Sequence, residues 1–159
     1  MDTERLHYTM CGLDDVYLTN GFEYKETPRG RRLHIFDQEG LHKAIGAYLV
    51  RQSRGLTGHE MLFLREELDL SQTTLARLIG ESDQSVARRE KREKPYKRPS
   101  AQERLIRYLY EESVLGAKEG LSFFLKALAE SDNFAADDAL FEKDATNDQW
   151  RLYGDQDAA

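Results

Sequence analysis

Three polar side chains in one short segment have the chemistry to contact the edges of nucleic-acid bases. They are Gln84, Ser85 and Arg88, and a single helix would present them on its polar side. Gln and Arg can each make paired hydrogen bonds to a base edge, and Ser can make single ones. Val86, the one strongly apolar residue of the segment, should point inward and leave its neighbours facing outward. The segment therefore predicts a helix that reads the major groove of DNA.

A preceding helix and a tight turn must position this segment. Ser71 can cap the preceding helix and Ser82 the second one, because the short hydroxyl accepts hydrogen bonds from free backbone N–H groups. Gly80 falls where the first helix must stop, and glycine tolerates the positive φ that a sharp turn often needs. The first helix also has i, i+3, i+4 apolar spacing, which predicts a buried stripe of Leu75, Leu78 and Ile79.

A basic loop follows the predicted reading helix directly. Residues 91–99 carry five positive charges and one negative charge, and two prolines should hold the loop extended. We expect it to bind DNA phosphates; the alternative is a solvated, mobile loop. The basic residues are Lys91, Arg92, Lys94, Lys97 and Arg98.

The charge of the 159-residue chain is unevenly distributed. The whole chain has a net charge of −6, with −3 on residues 1–70, +5 on residues 71–107 and −8 on residues 108–159. Positive charge is thus concentrated on the predicted DNA-binding helices, which would contact the phosphates. The acidic C-terminal region could discourage binding to random DNA, or bind a basic partner.

Composition limits the class of protein. Hydrophobic residues make up 40% of the chain and charged residues 33%, which allows a core under a heavily solvated surface. The sequence contains no run of about 18 apolar residues, so no membrane-spanning helix is predicted. The first residues lack the basic and apolar regions of a signal peptide, and the single cysteine cannot form an internal disulfide. These features indicate a cytoplasmic protein.

The predicted fold is α+β, mostly α, in three parts. Residues 1–54 form a β-rich module, with turns at 19–21 and 27–30 in a small antiparallel sheet, followed by a connecting helix. Residues 55–115 form the helical DNA-binding domain, with capping boxes at 57–60 and 100–103. Residues 116–159 form a C-terminal helix and an acidic tail, in which 140–153 is either a hairpin or disordered.

Residues 57–112 resemble the Xre family, the lambda-repressor-like helix-turn-helix domains. The resemblance rests on the Ser-Gln-x-x-Leu-Ala pattern at 71–76, on Gly80, and on Gln-Ser-Val at 84–86 with Arg-Arg-Glu at 88–90. It implies a five-helix DNA-binding domain. It also implies that Gln72 braces against a phosphate or an outer base, and that bases are read by Asp83, Gln84, Ser85 and Arg88.

The same resemblance implies a structural ion pair. Family members often place an Arg in the first helix against a Glu at the end of the recognition helix, which here are Arg65 and Glu90. The alternative is two separate surface charges. Many members have Trp or another apolar residue where Arg89 stands, so Arg89 is expected to face solvent or to bind a phosphate.

A weaker resemblance covers more of the chain. A β-rich N-terminal module, a connecting helix and an Xre domain are similar to the layout of MqsA-type antitoxins, whose N-terminal module holds zinc with four cysteines. This chain has only Cys11 and four scattered histidines, so we predict no metal site and no cofactor. Cys11 is interpreted as a small core residue.

Two functions follow as hypotheses. The first is a transcriptional regulator, a homodimeric repressor that binds an inverted repeat in operator DNA. The alternative is an antitoxin that neutralises a basic protein toxin and represses its own operon. An enzyme is not expected, because no nucleophile lies beside a base and no Gly-rich phosphate loop is present. The apolar segment 121–125 is a candidate dimer surface, or is buried within the monomer.

Overall fold

The computed structural model describes residues 5–116 and 138–154 of this α+β protein. The strands are β1 (Leu6–His7), β2 (Val16–Leu18), β3 (Phe22–Thr27), β4 (Gly30–Ile35), β5 (Ala139–Lys143) and β6 (Trp150–Leu152). The helices are α1 (Gln38–Val50), α2 (Gly58–Glu67), α3 (Gln72–Ile79), α4 (Asp83–Glu90) and α5 (Ala101–Ser113). The predicted short helix at 121–130, with its candidate dimer surface at 121–125, lies outside the described residues.

The described residues form two compact units, and α1 carries the chain from one to the other. The first unit contains the residues up to Ala44 and those from Asp138 onward, and the second contains residues 45–116. This division differs from the prediction, in which residues 116–159 formed a separate C-terminal part. The strands β5 and β6 belong instead to the N-terminal unit.

The main sheet of the first unit is mixed and has the strand order β1-β2-β5-β6. β5 runs parallel to β2, in a register that pairs Val16 with Ala139 and Leu18 with Phe141. The expected antiparallel sheet of N-terminal strands is therefore present as the β3–β4 pair, but for the main sheet the expectation was wrong, because that sheet is mixed and includes C-terminal strands. The hairpin of β5 and β6 is present, and its apolar side chains Phe141 and Trp150 are buried. A lone hairpin is marginal in water, so pairing with β2 gives this hairpin the support it needs.

The strands β3 and β4 form a separate two-stranded antiparallel ribbon, paired from Phe22 and Ile35 at its base to Thr27 and Gly30 at its tip. The turn is closed by the hydroxyl of Thr27, which donates to the carbonyl of Gly30 at 2.6 Å. Gly30 has a φ of 107°, which favours glycine at this position.

The core of the second unit comes from α2 to α5. Its fully buried side chains include Leu64, Leu75, Val86 and Ile106. The predicted stripe of α3 is wrong at Leu78, which is 48% exposed. The inward face of α3 is built instead from Leu75, Ala76 and Ile79, because packing against α4 and α5 covers the side of the helix that carries Ala76 and leaves Leu78 outside.

A buried polar network holds the connector between α1 and α2. The guanidinium of Arg107 is fully buried and donates to the backbone carbonyls of Val50, Gln52 and Arg54. Arg54 pairs with both carboxylate oxygens of Glu60 at 2.8 and 2.7 Å. Burial lowers the pKa of Arg107 to about 10, against the opposing effect of the nearby Glu103 carboxylate. The connector is thus held by charged groups that sequence periodicity does not reveal.

In the described ranges 5–116 and 138–154, none of the helices combines the length and the apolar character that crossing a membrane requires.

Candidate nucleic-acid interface

The helices α3 and α4 form a helix-turn-helix with a three-residue turn at 80–82. The hydroxyl of Ser71 accepts from the backbone N–H of Thr74 at 3.0 Å, and that of Ser82 accepts from Ser85 at 3.2 Å. Gly80 ends α3 in the left-handed conformation, with a φ of 73° and a ψ of 33°. All three features were predicted from sequence, because each depends on local backbone geometry.

The predicted ion pair is present. Nε and Nη2 of Arg65 donate to the two carboxylate oxygens of Glu90 at 2.5 and 3.2 Å. Gln72 also donates from Nε2 to Glu90 Oε2 at 2.7 Å. Gln72 was expected to face a phosphate or an outer base, but in this conformation its amide nitrogen is held by Glu90. The carboxylate therefore joins α2, α3 and the end of α4.

The outward face of α4 presents two side chains that have no intramolecular partner within the described residues. Gln84 and Arg88 are both exposed, while Val86 between them is fully buried. Arg88 lies four residues after Gln84, about one helical turn further along the same face. This face offers donors and an acceptor at two successive positions along the helix axis.

The other two expected base-reading residues are partly engaged within the protein. The hydroxyl of Thr73 on α3 donates to Asp83 Oδ2 at 2.7 Å. The hydroxyl of Ser85 lies 3.1 Å from that of Ser82. Asp83 thus links the N-terminus of α4 to α3, and its negative charge stands at the favourable end of the α4 dipole.

Arg89 was expected to face solvent or to bind a phosphate, but its side chain is engaged within the protein. Its guanidinium pairs with both carboxylate oxygens of Glu81, at 2.5 and 3.1 Å, and donates to the hydroxyl of Ser100 at 3.4 Å. The side chain is 25% exposed. Arg89 thus braces the turn and the start of α5 from the side of α4 away from Gln84. Sequence spacing missed this pair because Glu81 lies in the turn, outside the helical i, i+4 pattern.

The basic loop after α4 is docked on the start of α2. The backbone N–H of Gly58 donates to the carbonyl of Arg92 at 2.7 Å, and that of Gly55 donates to the carbonyl of Tyr96 at 2.8 Å. The Arg92 guanidinium lies 3.2 Å from the centroid of the Tyr96 ring. Arg92 also donates from Nε to the carbonyl of Lys94 at 2.7 Å. Two of these contacts attach the loop to Gly55 and Gly58 and two lie within it, and together they give the loop a defined path.

Docking leaves a set of cations exposed next to α4. Within the described residues their side-chain nitrogens have no hydrogen bond or ion pair, so their charge is available to a ligand. They are Lys91, Lys94, Lys97 and Arg98. Arg92, which was expected to join this set, is instead occupied by Tyr96 and Lys94.

Gly55 and Gly58 support the end of α4 and the basic loop, a role that was not predicted from the sequence. A Cβ at Gly58 would lie 2.4 Å from the carbonyl oxygen of Glu90, and one at Gly55 would lie 2.8 Å from that of Tyr96. Only glycine therefore lets the end of α4 approach residue 58, and the loop approach residue 55, this closely. The sequence feature that could have indicated this close approach is the presence of two glycines at or beside the capping box at 57–60, where no turn pattern calls for them.

Metal chemistry has no candidate site in the described residues. No group of three or more His, Cys, Asp or Glu side chains there is placed to hold a metal ion. Cys11, which was interpreted as a core residue, is only partly buried, and its Sγ lies 3.5 Å from the carbonyl oxygen of Tyr8. Burial raises the pKa of the Cys11 thiol.

When the chain was compared with protein-family models, with curated proteins and with solved structures, nothing matched.

Proposed function

We propose that this chain is a sequence-specific DNA-binding regulator of transcription, with α2 to α5 acting as a lambda-repressor-like domain. The single observation that carries the proposal is the outward face of α4, where Gln84 and Arg88 stand exposed at one-turn spacing over the buried Val86. These are the two side-chain types of α4 that can make paired hydrogen bonds to adenine and guanine. The N-terminal residues of a recognition helix are those that reach base edges in this class of domain.

The surrounding charges support the same function. Four exposed cations of the docked loop lie directly after α4, where a helix in the major groove is flanked by phosphates. A loop that is already anchored loses less conformational entropy on binding than a mobile one. We infer that Lys91, Lys94, Lys97 and Arg98 contact phosphates, and that the protein acts as a homodimeric repressor on an inverted repeat.

The test is selection followed by a gel shift. The full chain would be used to select sites from random duplexes, and the selected site would be tested at about 150 mM salt with excess random competitor. The proposal expects an inverted repeat whose half-sites lie about 34 Å apart, and a complex that resists competitor. Selection that yields no consensus, with binding erased by competitor, would contradict it.

A second candidate is antitoxin activity, which the division into two units favours. The β-rich first unit is compact by itself and contains none of the helix-turn-helix residues. It could therefore bind a protein while the second unit binds DNA. Co-purification of a small basic protein with the full chain from its native host would support this candidate, and a chain that purifies alone would count against it.

A further inference from the structure

The ribbon of β3 and β4 is exposed along most of its length but fixed at its base. The backbone N–H of Phe36 donates to the carbonyl of Gly21 at 2.9 Å, and Nε1 of Trp150 donates to the carbonyl of Phe36 at 3.1 Å. Ile35 at the base is buried, whereas residues 24–26 and 28–32 are exposed. The ribbon is therefore anchored to β6 and presents its tip to solvent.

The exposed part of the ribbon is strongly basic. Residues 25–32 contain four cations and one carboxylate, Glu26. Lys25 pairs with Glu23 at 2.9 Å, and the Arg31 guanidinium lies 4.0 Å from the centroid of the Tyr24 ring. The guanidiniums of Arg29 and Arg32 have no partner among the residues that the structure describes.

One pairing in the ribbon is unfavourable in the isolated protein. Lys25 stands directly opposite Arg32 in the antiparallel register. Like charges at directly opposed positions destabilise a strand pair. The Glu23 carboxylate neutralises one of the two charges, and the positive charge that remains would favour an anion against this face. The guanidinium of Arg29 in the turn adds a third positive charge at the tip.

The ligand chemistry that fits this surface is the phosphate backbone of DNA. A two-stranded ribbon has the width that a DNA groove admits. The hot spots of protein interfaces combine Trp and Tyr with Arg, and residues 25–32 contain three Arg but no aromatic residue. An acidic protein partner therefore fits this tip less well than a polyanion does.

We propose that the ribbon is a second DNA-contacting element, in which Arg29 and Arg32 each contact a phosphate of the bound DNA. The inference rests on the proposed function, and it extends the DNA contact to the first unit. Because phosphate contacts carry no sequence information, the ribbon adds affinity without changing the preferred site.

The test measures the affinity of the full chain for its selected operator and for a random duplex of the same length, over a range of salt concentrations. The variant Arg29→Gln/Arg32→Gln should bind both duplexes about 5-fold more weakly per lost contact at about 150 mM salt. The slope of log K against log salt should fall by about two. The matched control is Arg5→Gln/Lys43→Gln, which removes the same charge from exposed positions of the same unit and should leave both affinities unchanged.

A variant that keeps the positive charge separates phosphate contact from base reading. It also keeps the proposal testable if the Gln variant does not fold. Arg29→Lys/Arg32→Lys should keep most of the affinity, since Lys can neutralise a phosphate as a point charge. Loss confined to the operator would mean that the guanidiniums read bases, which overturns the assignment. If the wild-type chain binds DNA and the Gln variant binds equally well, the ribbon inference alone fails. If the wild-type chain binds no DNA, the proposed function fails with it.

Discussion

Arg65 on α2 and Glu90 at the end of α4 form a two-contact ion pair in which both side chains are largely shielded from water. The side chains are 13% and 6% exposed, and Arg65 also donates to the carbonyl of Leu70 at 2.8 Å. The pair fixes the orientation of α4 relative to α2 through groups that lie away from Gln84 and Arg88. The interface that we propose for DNA is therefore held in position by an ion pair that is largely shielded from water.

Removal of one partner of this pair should destabilise the protein strongly. Glu90→Ala should lower the free energy of unfolding by about 3–5 kcal/mol, because the Arg65 charge is left without compensation in a poorly solvated site. The measurement is urea denaturation. The control is Lys43→Ala, which breaks the exposed pair with Glu39 and should cost no more than about 1 kcal/mol. Equal losses for the two variants would contradict a stabilising role.

Substitutions on the outward face of α4 should reduce specificity. Gln84→Ala or Arg88→Ala should cost about 1–3 kcal/mol of binding free energy on the selected operator and relax the base preference at one position. Competition titrations against single-base operator variants would measure this. If Gln84→Ala loses as much affinity for random DNA as for the operator, Gln84 does not read bases.

A substitution in the docked loop should act differently. Arg98→Ala should weaken binding to operator and random DNA alike, and should lower the salt slope by about one, because a phosphate contact is lost. The comparison with Arg88→Ala is the internal control, since both remove one guanidinium from an exposed position. A loss for Arg98→Ala that is confined to the operator would assign base reading to Arg98.

The close approach at Gly58 predicts a steric effect. Gly58→Ala should destabilise the second unit by about 1–3 kcal/mol, because the new Cβ meets the backbone carbonyls of Arg89 and Glu90, which cannot rotate away. Denaturant titration would measure the loss. Glu66→Ala, at an exposed position of the same helix, should change stability by no more than about 0.5 kcal/mol. An unchanged Gly58→Ala variant would contradict this close approach between Gly58 and the end of α4.

Glu103 predicts a dependence of stability on pH. Burial raises its pKa above the ordinary value of 4.5, against the lowering effects of the Leu56 N–H, which it accepts at 3.0 Å, and of Arg107. The folded state then holds the proton more tightly than the unfolded state does. The stability from Glu103 is fully present below pH 4.5 and is lost as the pH rises through the raised pKa.

The expected result is that the wild type loses stability relative to Glu103→Gln as the pH rises from 4.5. Thermal unfolding of both proteins over a pH series would measure the difference. Glu66→Gln, at an exposed position of α2, should instead follow the wild type. Parallel curves for the wild type and Glu103→Gln would contradict the raised pKa.

The helix caps and the turn glycine, which depend only on neighbouring residues, were predicted from the sequence by itself. The caps at Ser71 and Ser82, the left-handed Gly80 and the capping box at Thr57 depend on residues within four positions of each other. The short range of these interactions made the helix boundaries of the second unit predictable. Leu78 was mispredicted because periodicity defines a helical face only approximately, and packing chooses which edge is covered.

The tertiary structure decided everything that joins distant residues. The parallel pairing of β5 with β2 brings Phe141 beside Leu18 across more than a hundred residues, and no local pattern encodes that register. The same holds for Arg89, whose type predicted a phosphate ligand but whose guanidinium pairs with Glu81. Sequence by itself determined which side chains could carry the chemistry and on which local elements they stand. Which of them remain available to a ligand was decided only by folding, because a charged side chain is free or engaged according to the neighbours that packing provides.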